Sequence, residues 1–274
     1  MRSIAWLSEK GGTAKTTCAI NCAVGLAKRG SRVLLADLDP QANASLVLLE
    51  GKPAGPPTLG AVLLGKTEAT EAIRPTHIPR LDILPSDVSL ADASLELSNM
   101  IGRENRLRAA LAPVESAYDF LILDTSPTRS LLTINALTTV REVLVPIEPG
   151  LFSLSGLGQL QAAVDDVRRY LDNKSLRVAG LVLTRTRRDN VSRDVEQHLR
   201  ATFGELVHRA TIPSNAKVEE AHGRFQSVLD YAPRSPGTKA YLELVEEIVA
   251  HGRTRAQNGT GNAAGGTAAA DHAA

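Results

Sequence analysis

Short runs of consecutive apolar residues, rich in Leu and β-branched side chains, recur along the chain: Ile4 to Leu7, Val33 to Ala36, Leu81 to Leu84, Phe120 to Leu123, Val143 to Val145, Val178 to Leu183 and Val207 to Ile212. Runs this short that do not alternate with polar residues predict strands buried on both faces. Between them lie longer segments of helical period, such as Thr16 to Arg29, closed by Gly30, and Gly156 to Leu171. Strand and helix in alternation predict an α/β fold, a single domain with a mostly parallel twisted sheet flanked by helices on both faces. In such folds ligands bind beyond the carboxyl ends of the strands, so the residues that follow each apolar run are where chemistry is expected. The segment Gly51 to Pro57 reads as a surface loop, because apolar patterning resumes at Leu59. Residues 1–251 form the predicted domain, and 252–274, dominated by Gly and Ala, a predicted disordered tail.

Charge removes several function classes. The 31 Lys and Arg against 30 Asp and Glu leave a net charge of +1, so no global field draws the chain to a polyanion, and any such site must be local. Cys18 and Cys22, the only two cysteines, have no second Cys or His pair at metal-ligand spacing; they predict neither a disulfide framework nor a zinc site and read as small core residues of the first helix. No apolar run approaches the about 18 residues of a membrane span, and Met1 to Leu7 is too short for a signal peptide, which predicts a soluble, cytoplasmic protein. There is no G-x-S-x-G elbow, and Gly156-Leu157-Gly158 lacks the third glycine of a dinucleotide fingerprint.

After the first strand comes Glu9-Lys10-Gly11-Gly12-Thr13-Ala14-Lys15-Thr16-Thr17, leading directly into a helix. A strand, a Gly-bearing loop and a helix N-terminus surround a phosphate chain with backbone N–H groups and the positive end of a helix dipole. Lys15 would reach the β- and γ-phosphates and the Thr16 hydroxyl would coordinate Mg²⁺. The strict G-x-x-x-x-G-K-[ST] pattern fails, since Glu9 and Ala14 occupy the glycine positions. Two apolar runs end in acids, Asp37 with Asp39 and Asp124; an acid there can be a turn residue or a helix cap, but Phe120 to Asp124 also has the form of a strand that holds Mg²⁺ through water.

The loop resembles the deviant phosphate loop K-G-G-x-x-K-[ST] of the ParA/MinD family of ATPases, which carries an additional lysine where this chain has Lys10. Val33 to Asn43 is similar to that family's V-L-L-x-D-x-D-P-Q-x-N segment, Thr128 to Leu137 to its P-S-x-x-x-L-T-x-N-A-L segment, Ile212-Pro213-Ser214-Asn215 to its I-P-x-N element, and Tyr231 to Ser235 to Y-D-P-R-S with Ala232 in place of Asp. The resemblance covers residues 3 to about 250. It implies a nucleotide-sandwich homodimer in which Lys10 contacts the partner's ATP, Lys15 binds phosphate and Asp39 positions the attacking water. It further implies Mg²⁺ held by Thr16 and Asp124 with Asp37 in support, and ATP lined by Gly11, Gly12, Thr13, Ala14, Thr17, Pro213 and Asn215. Ala14 departs from the glycine usual there, putting a β-carbon beside the phosphates.

Members of that family divide by the surface their dimer uses. No amphipathic tail points to membrane and no Cys pair to cluster transfer, which leaves DNA. Arg185, Arg187, Arg188 and Arg193, with Asp189 the only acid among them, follow a strand; such a stretch can be a solvated charged loop. The resemblance makes these arginines and Lys217 contacts to nonspecific double-stranded DNA, with salt-dependent binding and no base stacking. With Lys10 so near Met1, no operator-reading domain is expected ahead of the loop. The implied function is a slow, partner-stimulated, nucleoid-associated partition ATPase with a ParB-like or cargo adaptor; a MinD-like positioning ATPase or a P-loop small-molecule ligase without DNA binding is the alternative.

Overall fold

The computed structural model describes residues 1–8, 10–127, 130–150 and 155–261. Seven strands form one sheet: β1 (Arg2–Trp6), β2 (Val33–Leu38), β3 (Arg74–Pro75), β4 (Leu81–Leu84), β5 (Phe120–Thr125), β6 (Glu142–Ile147) and β7 (Arg177–Leu183), in the order β3-β4-β2-β5-β1-β6-β7. All neighbours pair parallel except β3, which runs antiparallel to β4. The helices are α1 (Lys15–Lys28), α2 (Asn43–Leu48), α3 (Leu59–Leu63), α4 (Ala69–Ala72), α5 (Ser89–Leu97), α6 (Arg106–Leu111), α7 (Leu131–Thr139), α8 (Ser155–Tyr170), α9 (Asn190–Phe203), α10 (Ala216–Gly223), α11 (Val228–Tyr231) and α12 (Pro236–Gly261).

Strand alternation splits the core in two. Leu34, Ala36, Leu121 and Leu123 face the layer that holds α3, α6 and α7, while Val33, Leu35, Ile122 and Trp6 face α1 and α12. With both faces covered, no strand shows a polar alternation, which is why the apolar runs are continuous. The order places β2, β5 and β1 side by side, and in register Asp37 pairs with Asp124 and Asp124 with Trp6. Three loops that are distant in sequence therefore meet at one edge.

One expectation needs correction. Val207 to Ile212 is not a strand of the sheet but runs beside β7, with isolated bridges Leu181 to Val207 and Thr186 to Pro213. His208 N donates to Leu181 O (2.9 Å) and Ile212 N to Leu183 O (2.8 Å), but between them Arg209 N (2.9 Å) and Ala210 N (2.6 Å) turn aside to the Glu247 carboxylate, which breaks the ladder; the His208 ring occupies the space a β-carbon would need at Gly180. At the other end, α12 runs from Pro236 to Gly261. Once a helix is nucleated each added residue gains a backbone hydrogen bond, so the polar run after Gly252 extends it without a hydrophobic face. Residues 262–274 lie outside the described residues.

The Asn of the L-T-x-N-A-L segment has a structural role. Asn135 is fully buried on α7; its amide donates to Arg103 O (2.7 Å) and Leu131 O (2.9 Å), and its oxygen accepts from Leu107 N (3.0 Å). It fastens α6 to α7. Thr128, which opens that segment, lies outside the described residues.

Candidate functional site

The loop after β1 is shaped by two left-handed residues, Gly12 (φ 77°) and Ala14 (φ 67°). Ala14 is the N-cap of α1 and supplies no side-chain cap, so the first amides of the helix stay available to a ligand. The glycine expected at this position is explained: the backbone needs φ > 0, which an alanine adopts only under strain. Thr13 Oγ1 donates to Lys10 O (3.2 Å) and Lys15 Nζ to the same carbonyl (3.4 Å), folding the buried lysine under the loop. Burial lowers the Lys15 pKa, and Asp124 and Asp39 oppose that shift. Lys10 is exposed, and Glu9 lies outside the described residues. Cys18 and Cys22 are fully buried, and burial pushes the Cys18 thiol up to about 12, in keeping with packing residues rather than nucleophiles.

The carboxylates divide by environment. Both Asp37 oxygens are engaged: Oδ1 accepts from Asp39 N (3.1 Å), and Oδ2 from Ser45 N (2.9 Å) and Ser45 Oγ (2.8 Å). Ser45 Oγ in turn accepts from Ser86 N (2.9 Å), so Asp37 ties α2 and the end of β4 to the sheet. Asp124 is equally buried, yet neither oxygen has a hydrogen-bond partner of good geometry among the described residues. Burial and then the neighbouring Asp37 drive its pKa well above the carboxylate range, with the nearby Thr16 hydroxyl opposing; burial pushes Asp37 up to about 6. Two buried acids in register, one of them unpartnered and facing Thr16, fit a divalent cation, which would offset both repulsion and desolvation. Asp39 is half-buried at the mouth, with Oδ1 accepting from Gln41 N (2.9 Å).

A cleft of about 380 Å³ opens beside the loop, lined by Gly11, Gly12, Ala14, Lys15, Thr16 and Thr17 at one end and by Ile212, Pro213, Asn215 and Val218 at the other, with Asp39 between. Thr184 Oγ1 donates to Thr13 O (3.2 Å), joining the end of β7 to the loop. Asn43, the last residue of the Val33 to Asn43 segment, also lines the cleft, as do Glu219 and His222, which carried no sequence signal that separates them from surface polar residues.

The basic stretch is spread over two surroundings. Arg185 is exposed and lines the cleft. Arg187 and Arg188 are exposed and have no ion pair among the described residues; Arg193 donates to Asn190 Oδ1. Asp189, the one acid in the run, caps α9 by accepting from Ser192 N (2.7 Å). Lys217 is paired with Glu220 (2.7 Å) and lies over the Tyr231 ring (5.9 Å). No helix among the described residues is long and apolar enough to cross a membrane.

Comparison with known proteins agrees with this geometry. Residues 1–178 match the AAA domain family AAA_31. The chromosome partitioning protein ParA of Caulobacter vibrioides is 39% identical over 258 residues, covering 93% of this chain and 96% of the relative. The sporulation initiation inhibitor protein Soj of Bacillus subtilis is 37% identical over 250 residues, covering 91% and 98%. Among solved structures, cobyrinic acid a,c-diamide synthase of Mycobacterium smegmatis with a bound ATP analogue and magnesium superposes with a TM-score of 0.79 at 32% identity, covering 92% of this chain and 96% of that one.

Proposed function

Since the chain belongs to the AAA_31 family of AAA domains and, within it, to the ParA/Soj partition ATPases, we propose that it hydrolyses Mg·ATP as a homodimer that binds nonspecific double-stranded DNA. The observation that carries the chemistry is Asp124, fully buried with the Thr16 hydroxyl as its nearby polar group, at the foot of a helix whose N-terminus no side chain caps. A bound magnesium ion would neutralise charge on the transferring phosphoryl group. Thr16 and Asp124 would hold the cation, and Asp37 anchors the floor through Ser45. Lys15 turns from Lys10 O to the phosphates, while Asp39 at the mouth orients the attacking water. Exposed Lys10 reaches the partner subunit's nucleotide and stabilises charge in the transition state, which ties turnover to dimer closure. Pro213 and Asn215 flank the base. Residues 1–251 carry this activity.

Arg187 and Arg188, with Arg193 and Lys217 in support, supply the DNA contacts, doubled by dimerisation, and so hold the dimer on the nucleoid. A ParB-like or cargo-bound adaptor stimulates hydrolysis and release. The test is binding to a nonspecific duplex without nucleotide, with ADP and with ATP, at two salt concentrations, beside Arg187→Ala/Arg188→Ala. ATP-dependent binding that weakens with salt, and a shallower salt slope in the variant, is the expected result; no binding in any nucleotide state removes the DNA reading.

The diamide synthase neighbour favours one second reading, an ATP-dependent amide-forming ligase. It requires ATP turnover to depend on a carboxylic acid substrate rather than on DNA and an adaptor, and the two are separated by which addition raises turnover.

A further inference from the structure

Between His208 and Ile212 the chain takes four residues to cover what β7 covers in two. His208 N donates to Leu181 O (2.9 Å), and the next bond to the strand is made by Ile212 N, to Leu183 O (2.8 Å). In an unbroken parallel ladder that second bond would fall to Ala210. The two surplus residues form a bulge, and the amides of Arg209 and Ala210 are left without a strand partner. A single carboxylate of α12 takes both: Glu247 Oε2 accepts from Arg209 N (2.9 Å) and Oε1 from Ala210 N (2.6 Å), with His208 Nδ1 at 3.2 Å from Oε2. On the carbonyl side, Arg200 of α9 donates to His208 O (3.1 Å) and Arg209 O (3.4 Å). Past the bulge Ile212 returns to β7, and Ile212, Pro213 and Asn215 line the cleft.

The stand of that wall is therefore set by the length of the bulge. If the two amides lose their acceptor, the regular ladder becomes the more stable arrangement, because Ala210 N then gains Leu183 O in place of nothing. Such a slip of two residues keeps every side chain on its own face, but it carries Pro213 and Asn215 about 6–7 Å along the strand direction. Glu247 is itself mounted on the helix that abuts the phosphate loop's own. A β-carbon at Gly25 of α1 would lie 2.8 Å from Val245, and the Tyr241 hydroxyl lies 3.7 Å from Cys18 Sγ. We propose that Glu247 is a positioning residue for the nucleotide cleft, holding the two-residue bulge that seats Ile212 to Asn215 opposite the phosphate loop. This rests on the ATPase reading above.

The experiment measures, for the full chain and for Glu247→Gln and Glu247→Ala, the affinity for Mg·ATP and for magnesium tripolyphosphate, which has the phosphates and nothing that reaches the wall. Glutamine keeps one acceptor oxygen of the two, and alanine keeps none. Seating predicts that Mg·ATP binds about 3- to 10-fold more weakly in Glu247→Gln and about 10- to 100-fold more weakly in Glu247→Ala, with tripolyphosphate affinity unchanged, because apparent affinity falls with the seated fraction. Amide exchange supplies the second readout. Ile212 and Ser214 should exchange faster in unliganded Glu247→Ala than in the parent, and Mg·ATP but not tripolyphosphate should restore their protection. Glu243→Gln, on the exposed face of the same helix, is the control and should match the parent in both assays.

Unchanged Mg·ATP affinity in Glu247→Ala overturns the proposal. So does equal weakening of both ligands, which would make Glu247 a support of the whole fold rather than of one wall. Parent protein that binds tripolyphosphate as tightly as Mg·ATP overturns the positioning role alone; parent protein that binds neither overturns the ATPase reading and this one with it. Thermal melting identifies a variant that fails to fold, and if Glu247→Ala does so, Glu247→Gln decides by the same two comparisons.

Discussion

Replacing Ala14 by glycine should stabilise the protein, although glycine inside a helix loosens it. Ala14 is held at φ 67°, ψ 28°. For an L-residue with a β-carbon this region costs about 1–2 kcal/mol relative to right-handed backbone, a penalty glycine escapes. Against that, the glycine chain has more freedom when unfolded, which costs about 0.4–1 kcal/mol. The difference is a net gain of about 0.8 kcal/mol. Over a urea m-value of about 3 kcal/mol/M this moves the midpoint up by about 0.3 M with m unchanged. The assay is built into the chain: Trp6, its one tryptophan, is fully buried in register with Asp124, so its emission follows unfolding. The matched control is Gly12→Ala at φ 77°, where an added β-carbon meets nothing within 4 Å. Its cost is conformational alone, so it should lower the midpoint by a similar amount. A downward shift for Ala14→Gly, or no shift for Gly12→Ala, would refute the claim that left-handed backbone sets the residue preference of this loop.

Two further outcomes follow from the carboxylates. Asp39→Ala should bind Mg·ATP and DNA yet lose hydrolysis, measured as phosphate release per dimer, so that the ATP-bound form persists on the duplex; parental turnover would remove Asp39 from the reaction. In the unliganded protein the stability contributed by protonating Asp37 is complete below the ordinary aspartate pKa of about 3.9 and is lost as pH rises through about 6, because burial makes the folded state bind the proton more tightly. Urea midpoints should therefore fall from pH 4 to 7 more steeply in the parent than in Asp37→Asn; equal slopes would mean that Asp37 does not set this dependence.

The phosphate loop and the strand-end acids were legible because their chemistry is local: a glycine-bearing turn between strand and helix, and an acid where an apolar run stops. What escaped was everything set by register between distant segments. Nothing in the spelling of Ser45 or Ser86 says that they close a hydrogen-bonded chain onto Asp37. Arg185 read as the first of four equivalent arginines because sequence shows charge but not the sign of φ: its own backbone is left-handed, and it lines the cleft. Val207 to Ile212 has the apolar composition of a strand and lies alongside β7, but the amides of Arg209 and Ala210 bond to Glu247, far away in sequence, instead of to the strand. The short helices α3 to α5 lacked the length over which a helical period can be told from a buried strand.

The two ends of the cleft are mounted very differently. The phosphate loop hangs from β1, which is hydrogen-bonded to β5 on one side and β6 on the other, so its mount yields only when the centre of the sheet does. The wall at the other end, from Ile212 to Asn215, hangs from the edge of the sheet: Ile212 N donates to Leu183 O (2.8 Å), Thr186 N to Ile212 O (3.1 Å) and Ser214 N to Thr186 O (2.9 Å). An edge segment paired on one side only opens at lower free energy than a central strand. One wall of the cleft is thus fixed at the centre of the sheet and the other at its rim, and a ligand that spans the cleft would tie rim to centre.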